Sequence, residues 1–221
     1  MKWTTAISRA ATLEAAVLEV SEELKKNHTG AMDLAVVFVS AHHATQYRLL
    51  PGMLHKSLTI RELVGCSGGG IIGGGQEIES GAALSVTVAY LPEVGLKSFA
   101  LDAEAVEALA ERPNAWRELL ELEPEHEINF ILLPNPFACP AQRLLDGLDA
   151  AFPDSPKVGA MASGGQDRAT TALFLRQGVE EAAVIGLVLW GDIQMDTAVA
   201  QGCRPIGVPF ILTHCHKNLA I

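Results

Sequence analysis

LVGCSGGGIIGGG, residues 63–75, changes character halfway along. An apolar run from Leu63 to Cys66 reaches Ser67 and breaks into six glycines among the eight residues Gly68 to Gly75. Glycine holds positive φ and lets another backbone or a ligand approach closely. So much of it costs conformational entropy, which marks a constrained turn or a binding loop. A weaker version recurs downstream as Val158-Gly159-Ala160-Met161-Ala162-Ser163-Gly164-Gly165.

The flanks of the two glycine turns match as well. Leu34 to Val39 and Asn129 to Leu133 are short apolar runs that read as buried strands. Gln46 to Ser57 and Pro140 to Ala151 read as helices, the first disturbed by Pro51 and Gly52. Ala83 to Leu91 and Ala182 to Trp190 read as strands. Val36 to Phe130 and Gly65 to Gly159 are each 94 positions apart, and Ala82 to Ala182 is 100, so a short insertion follows the second turn. The spacing predicts an α/β (mixed α+β) fold of two pseudo-repeated β-α-β-β units, residues 33–92 and 128–191, forming sheets covered by helices. Each β-α-β part is expected to be parallel with a right-handed crossover. An N-terminal helix within residues 1–32 precedes the units, and a C-terminal strand segment spans 192–221. Apolar strands before glycine turns are also common in α/β proteins without duplication.

Composition narrows the class. The 221 residues are 49% hydrophobic and 19% charged, enough for a sizeable core and against global disorder. The net charge of -10, with no basic run, disfavours nucleic acid. No run approaches the roughly 20 apolar residues of a membrane helix, so no membrane partner is expected. Cys66, Cys139, Cys203 and Cys215 lie far apart, form no C-x-x-C pair and follow no signal peptide. They read as reduced thiols of a cytoplasmic protein.

Several motifs have competing readings. Gly68-Gly69-Gly70-Ile71-Ile72-Gly73 satisfies G-x-G-x-x-G, but that motif needs a helix to begin there, and a strand follows. With no Lys-Ser/Thr pair closing the loop, a nucleotide is disfavoured and no cofactor is expected. A tight connection between strands competes with a pocket whose backbone N–H groups meet a small polar or anionic ligand. Cys66 follows a strand beside the glycine loop, where a thiol can be activated, with His42, His43, His214 or His216 as a base. Its counterpart in the second turn is Ala160, so a symmetric two-thiol site lacks its second cysteine, and a small buried cysteine is the commoner case. His214-Cys215-His216 offers two imidazoles on one strand face, short of the three or four ligands a metal needs. In Gln201-Gly202-Cys203-Arg204-Pro205-Ile206-Gly207, Arg204 is a fixed guanidinium able to clamp a carboxylate or to pair with an acid such as Asp192.

The strand into Gly65-Cys66-Ser67-Gly68-Gly69, the turn at Ser163-Gly164-Gly165, Gly186 to Gly191 and above all Gln201 to Gly207 together resemble the N-terminal part of the FIST domain (F-box and intracellular signal transduction). The resemblance covers about Asp33 to the end, with Val208 where a proline is expected. It implies an intracellular, non-enzymatic sensory domain that binds a small molecule such as an amino acid, and a C-terminal FIST-type part absent from this chain. Its expected ligand-binding residues are Cys66, Ser67, Gly68, Gly69, Ser163, Gly164, Gly165, Cys203 and Arg204, with Arg204 gripping a carboxylate. A thiol-dependent hydrolase or isomerase using Cys66 or Cys203, and an interaction scaffold of a ubiquitin-ligase-type adaptor, are the alternatives.

Overall fold

The computed structural model describes residues 1–121 and 127–198, together with 202, 206, 207, 211, 213–216, 219 and 220. The chain begins with β1 (Lys2–Ser8), α1 (Leu13–Asn27) and β2 (Met32–Ser40). A 3₁₀ helix (Ala41–Leu49) and α2 (Leu50–Ser57) then lead to β3 (Ile60–Gly68), the hairpin β4 (Ile71–Gly73) and β5 (Gln76–Ile78), and β6 (Leu84–Tyr90). The second half follows as β7 (Val94–Leu101), α3 (Ala103–Glu111), α4 (Asn114–Leu120), β8 (Ile128–Pro134), α5 (Ala141–Ala151) and β9 (Lys157–Gly159). The hairpin β10 (Leu173–Leu175) and β11 (Gly178–Glu180) precedes β12 (Val184–Gly191). In the C-terminal segment β13 (Cys215–His216) pairs with β14 (Leu219–Ala220).

Local chemistry explains the boundaries. Thr12 accepts the Ala15 amide and Asp102 accepts the Ala105 amide, so α1 and α3 each begin on a side-chain cap. Glu14 stands in the first turn of α1 and Lys25 and Lys26 in its last, each complementing the helix dipole. Pro51 does not interrupt a helix. It occupies the first turn of α2, where its missing N–H has no partner to lose. Gly74 and Gly75, at φ +55° and +75°, form the two-residue loop between Gly73 and Gln76, and positive φ at both is what a tight hairpin of this twist requires. A hairpin, not a helix, thus follows the glycine run.

The first sheet has the order β1-β6-β2-β3-β10-β11 and the second β7-β12-β8-β9. The block β1-β6-β2-β3 and the whole second sheet share the same sense: antiparallel, antiparallel, parallel. Registers agree too. Val37 lies opposite Gly65 and Val86, and Leu132 lies opposite Gly159 and Gly186. This pairs Val37 with Leu132, one residue off the spacing of Val36 to Phe130 expected from sequence. A one-residue slip turns every side chain to the other face. Val36 faces the layer between the sheets, whereas Phe130 packs toward the helices. Residues 1–32, set apart in the sequence reading, supply β1 and α1 to the first sheet. Strands β1, β4, β5, β7, β10 and β11 are not among those the sequence predicts.

Alternation along the strands builds four layers. Ala35, Val37 and Val39 meet Val17, Val20 and Leu24 of α1 and Leu54 of α2 on the outer face of the first sheet. Phe130, Leu132 and Val188 meet Val106, Trp116, Leu144 and Leu148 on the outer face of the second. Leu34, Val64, Cys66 and Ala89 meet Leu133, Ile185, Leu187 and Leu189 between the two sheets. Each such aliphatic side chain contributes about 1.5–3 kcal/mol by leaving water. The fold is an α/β/β/α stack.

Candidate functional site

The two serine-glycine turns meet. Ser67 donates its amide to the Ala172 carbonyl at 3.0 Å and accepts the Ala172 amide on its hydroxyl at 3.1 Å. Its carbonyl accepts the Ser163 amide at 3.0 Å, and the Ser163 hydroxyl accepts the Gly69 amide at 3.0 Å. Gly164, at φ +83°, presses against the Gly68 carbonyl, where a Cβ would stand only 2.6 Å away. A Cβ on Gly165 would collide with Thr171. The structure therefore brings Ser67, Gly68, Gly69, Ser163, Gly164 and Gly165 together. Their use differs: the amides of Ser67, Gly69 and Ser163 are spent on joining the halves. They are not free to meet a ligand.

Cys66 sits beneath this seam, 4% exposed, between the sheets. Burial pushes its thiol up to about 12, and burial likewise pushes half-buried Cys139 up to about 11. A thiol held protonated is neither a nucleophile nor a metal ligand at neutral pH. The imidazole of His43 is 2% exposed, and burial, then the neighbouring His42, lowers its pKa. Cys203 and Arg204 lie outside the described residues. Among the described residues no three His, Cys, Asp or Glu side chains gather as metal ligands.

Beside the seam opens a cleft of about 340 Å³ lined by Tyr47, Arg48, Asn135, Arg168, Thr171 and Glu181. Tyr47 and Arg48 come from the 3₁₀ helix that follows β2, and Asn135 comes directly after β8. Both β2 and β8 are parallel to a neighbour, and the carboxyl ends of such strands are where open α/β sheets bind ligands. The Ser40 amide donates to the Ala83 carbonyl, and the Asn135 amide donates to the Ala183 carbonyl in the equivalent place of the second half. The loop carrying Arg168 is ordered by Asp167, whose carboxylate accepts the Thr170 amide at 2.8 Å. The Thr170 hydroxyl, which donates to the same carboxylate at 2.8 Å, and then its amide lower the Asp167 pKa.

Two polar atoms in this cleft have no partner among the described residues. Tyr47 is 6% exposed and Thr171 is 6% exposed, and neither Tyr47 Oη nor Thr171 Oγ1 makes a hydrogen bond. Burial pushes the Tyr47 phenol up to about 12; the nearby Ser67 hydroxyl pulls the other way, but no contact between them has hydrogen-bond geometry. At the mouth, Arg48 Nη2 lies 3.7 Å from Glu181 Oε1, both exposed, and Arg168 Nη2 donates to the Glu181 carbonyl at 2.6 Å. Arg168 and Thr171 escaped the sequence reading because the insertion in which they lie has no apolar period. Tyr47 escaped it because one tyrosine in a helix reads as core.

Among the described residues no helix is long and apolar enough to cross a membrane. A family model described as the FIST N domain matches residues 33–221. An uncharacterized protein of Mycobacterium tuberculosis is 30% identical over 208 residues, covering 94% of this chain and 52% of the relative. An uncharacterized protein of Mycobacterium bovis is 31% identical over 212 residues, covering 95% of this chain and 51% of the relative. The chain spans about half the length of these curated relatives. With the match extending from β2 through both sheets, the chain belongs to the FIST N-domain family of sensory, signal-transduction modules.

Proposed function

We propose that the chain senses a small carboxylate, such as an amino acid, bound in the cleft between Tyr47, Asn135, Arg168 and Thr171. The observation that carries this reading is the pair of unpartnered buried hydroxyls, Tyr47 Oη and Thr171 Oγ1. A buried polar atom without a partner costs about 1–3 kcal/mol, and a ligand that bonds to it recovers that cost. Arg48 and Arg168 supply guanidinium groups whose fork matches a carboxylate. The Glu181 side chain at the mouth suits an ammonium group. Arg204 is proposed as a further clamp on the carboxylate from the C-terminal segment. The turns at Ser67 to Gly69 and Ser163 to Gly165 hold the two halves in register around the cleft, so a change at either half is felt by the other. Burial of Cys66 argues against a thiol enzyme acting through that residue.

The test is a thermal-shift screen of amino acids and small carboxylates on the chain and on its Arg168→Ala and Arg204→Ala variants. A ligand specific to the native state stabilises it by about 2.7 kcal/mol at a hundred times its dissociation constant. A shift weakened in Arg168→Ala supports the cleft. A shift indifferent to both Arg168→Ala and Arg204→Ala puts the ligand outside this cleft.

A further inference from the structure

In the first sheet β3 is flanked on both sides, by β2 in parallel and by β10 in antiparallel pairing. Phe174 of β10 lies opposite Gly65, fully buried, with its ring edge-on to Tyr47 at 5.7 Å. The counterpart of β3 is β9, whose Gly159 stands where Gly65 does. A Cβ on either glycine would run into the carbonyl of the neighbouring strand, Val37 for one and Leu132 for the other. Yet among the described residues β9 pairs with β8 alone.

In place of a strand, a groove of about 390 Å³ runs between β9 and α5, lined by Leu132, Leu144, Leu145, Val158 and Met161. Val158 is 42% exposed, Met161 52% and Leu145 41%. Natural edge strands are normally protected by an outward charge, a proline or a bulge. β9 is only three residues long, follows Pro156 and carries Lys157, devices that blunt an edge, yet Val158 and Met161 beside it stay exposed. Lys157 is turned inward, its side chain 9% exposed and its ammonium donating to the carbonyls of Phe152 and Ser155.

We infer that the β9 edge docks an antiparallel strand supplied by the half that its relatives carry beyond the matched region. Two observations select this occupant. The mycobacterial relatives are about twice as long as the match, which covers 52% and 51% of them. Within the chain, the equivalent edge of the first sheet is filled by β10 and β11, a hairpin that comes from outside the four-strand block it completes. A second copy of this chain is the weaker occupant, because a net charge of -10 opposes self-association. The mode is strand addition: main-chain hydrogen bonds give affinity and a pocket for alternate side chains gives specificity. By the register of β10 on β3, the residue of the incoming strand opposite Gly159 carries a large apolar side chain. It fills the groove against Leu144 as Phe174 packs beside α2.

The test reads backbone hydrogen exchange over Val158 to Met161 in the 221-residue chain, alone and with the separately expressed unmatched half of the Mycobacterium tuberculosis relative. Exchange there is expected to be fast in the chain alone and to slow at least about tenfold on addition of that half. Val158→Asp is expected to remove the slowing while leaving the melting temperature of the chain unchanged, because Val158 is exposed before docking. Absence of slowing, or slowing confined to Arg48 and Arg168, overturns the inference. Protection already present in the chain alone also overturns it: if concentration-dependent, a second copy fills the edge, and if not, the chain's own C-terminal segment does.

Discussion

The carbonyl oxygen of Ser67 accepts the amide hydrogen of Ser163 at 3.0 Å, joining the glycine turn of one half to that of the other. The Ser67 hydroxyl, fully buried, adds a bond from the Ala172 amide at 3.1 Å. One serine thus holds together strands from opposite halves of the chain.

Ser67→Ala is expected to destabilise the fold by about 1–3 kcal/mol, because it strands the buried Ala172 amide. Ser163→Ala removes an acceptor from the Gly69 amide, but at an exposed site where water replaces it. Its expected cost is under about 1 kcal/mol. Urea denaturation of both variants measures the difference, and equal costs would refute the assignment of Ser67 as the seam.

Gly65→Ala and Gly159→Ala are each expected to cost about 3 kcal/mol or more, since the new methyl meets backbone rather than a movable side chain. Gly52, in α2, has nothing within 4 Å of an added Cβ. Gly52→Ala is expected to be neutral or stabilising by up to about 1 kcal/mol through helix propensity. Calorimetric melting of the three variants gives the comparison.

Tyr47→Phe separates stability from binding. Removing an unpartnered buried hydroxyl is expected to leave the free chain as stable or stabilise it by up to about 1 kcal/mol. The same change is expected to weaken carboxylate binding about tenfold, the worth of one hydrogen bond. Isothermal titration beside a thermal melt detects both signs at once. A variant that loses stability and keeps affinity contradicts the cleft as the site.

Stability is expected to fall as the pH climbs above the ordinary thiol range. Burial pushes the Cys66 thiol up to about 12 from its ordinary 9.0, and the Tyr47 phenol up to about 12 from 10.0. Between about pH 9 and 12 the folded chain holds protons that the unfolded chain releases, so the unfolding free energy decreases with pH. Cys66→Ala is expected to remove part of that slope. At pH 8 a thiol reagent is expected to leave Cys66 unmodified until denaturant is added.

Much of the fold is readable locally. Leu13, Val17, Val20 and Leu24 recur at helical spacing, and α1 buries all four. The apolar runs at β2, β8 and β12 announce buried strands because each must hide nearly every side chain between two layers. The strands β10 and β11 are three residues each, too short for a period, and only the pairing of β10 with β3 and of β11 with β10 makes them part of a sheet. Mixed segments such as β1 and β7 are decided in the same way, by the partner strand that takes up their amides.

The sequence by itself determined the two glycine turns, the strands that enter them and the family they point to. Backbone freedom at glycine and burial of apolar runs are properties of a residue and its near neighbours. Only the tertiary structure decided that the amides of these turns join the two halves, and that Tyr47, Asn135, Arg168 and Thr171 converge on one cleft. Those four residues come from the segments after β2 and β8 and from the loop before β10. The burial of Tyr47, Asn135 and Thr171, and the two hydroxyls left without a partner among the described residues, exist only once long-range packing has removed water from between them.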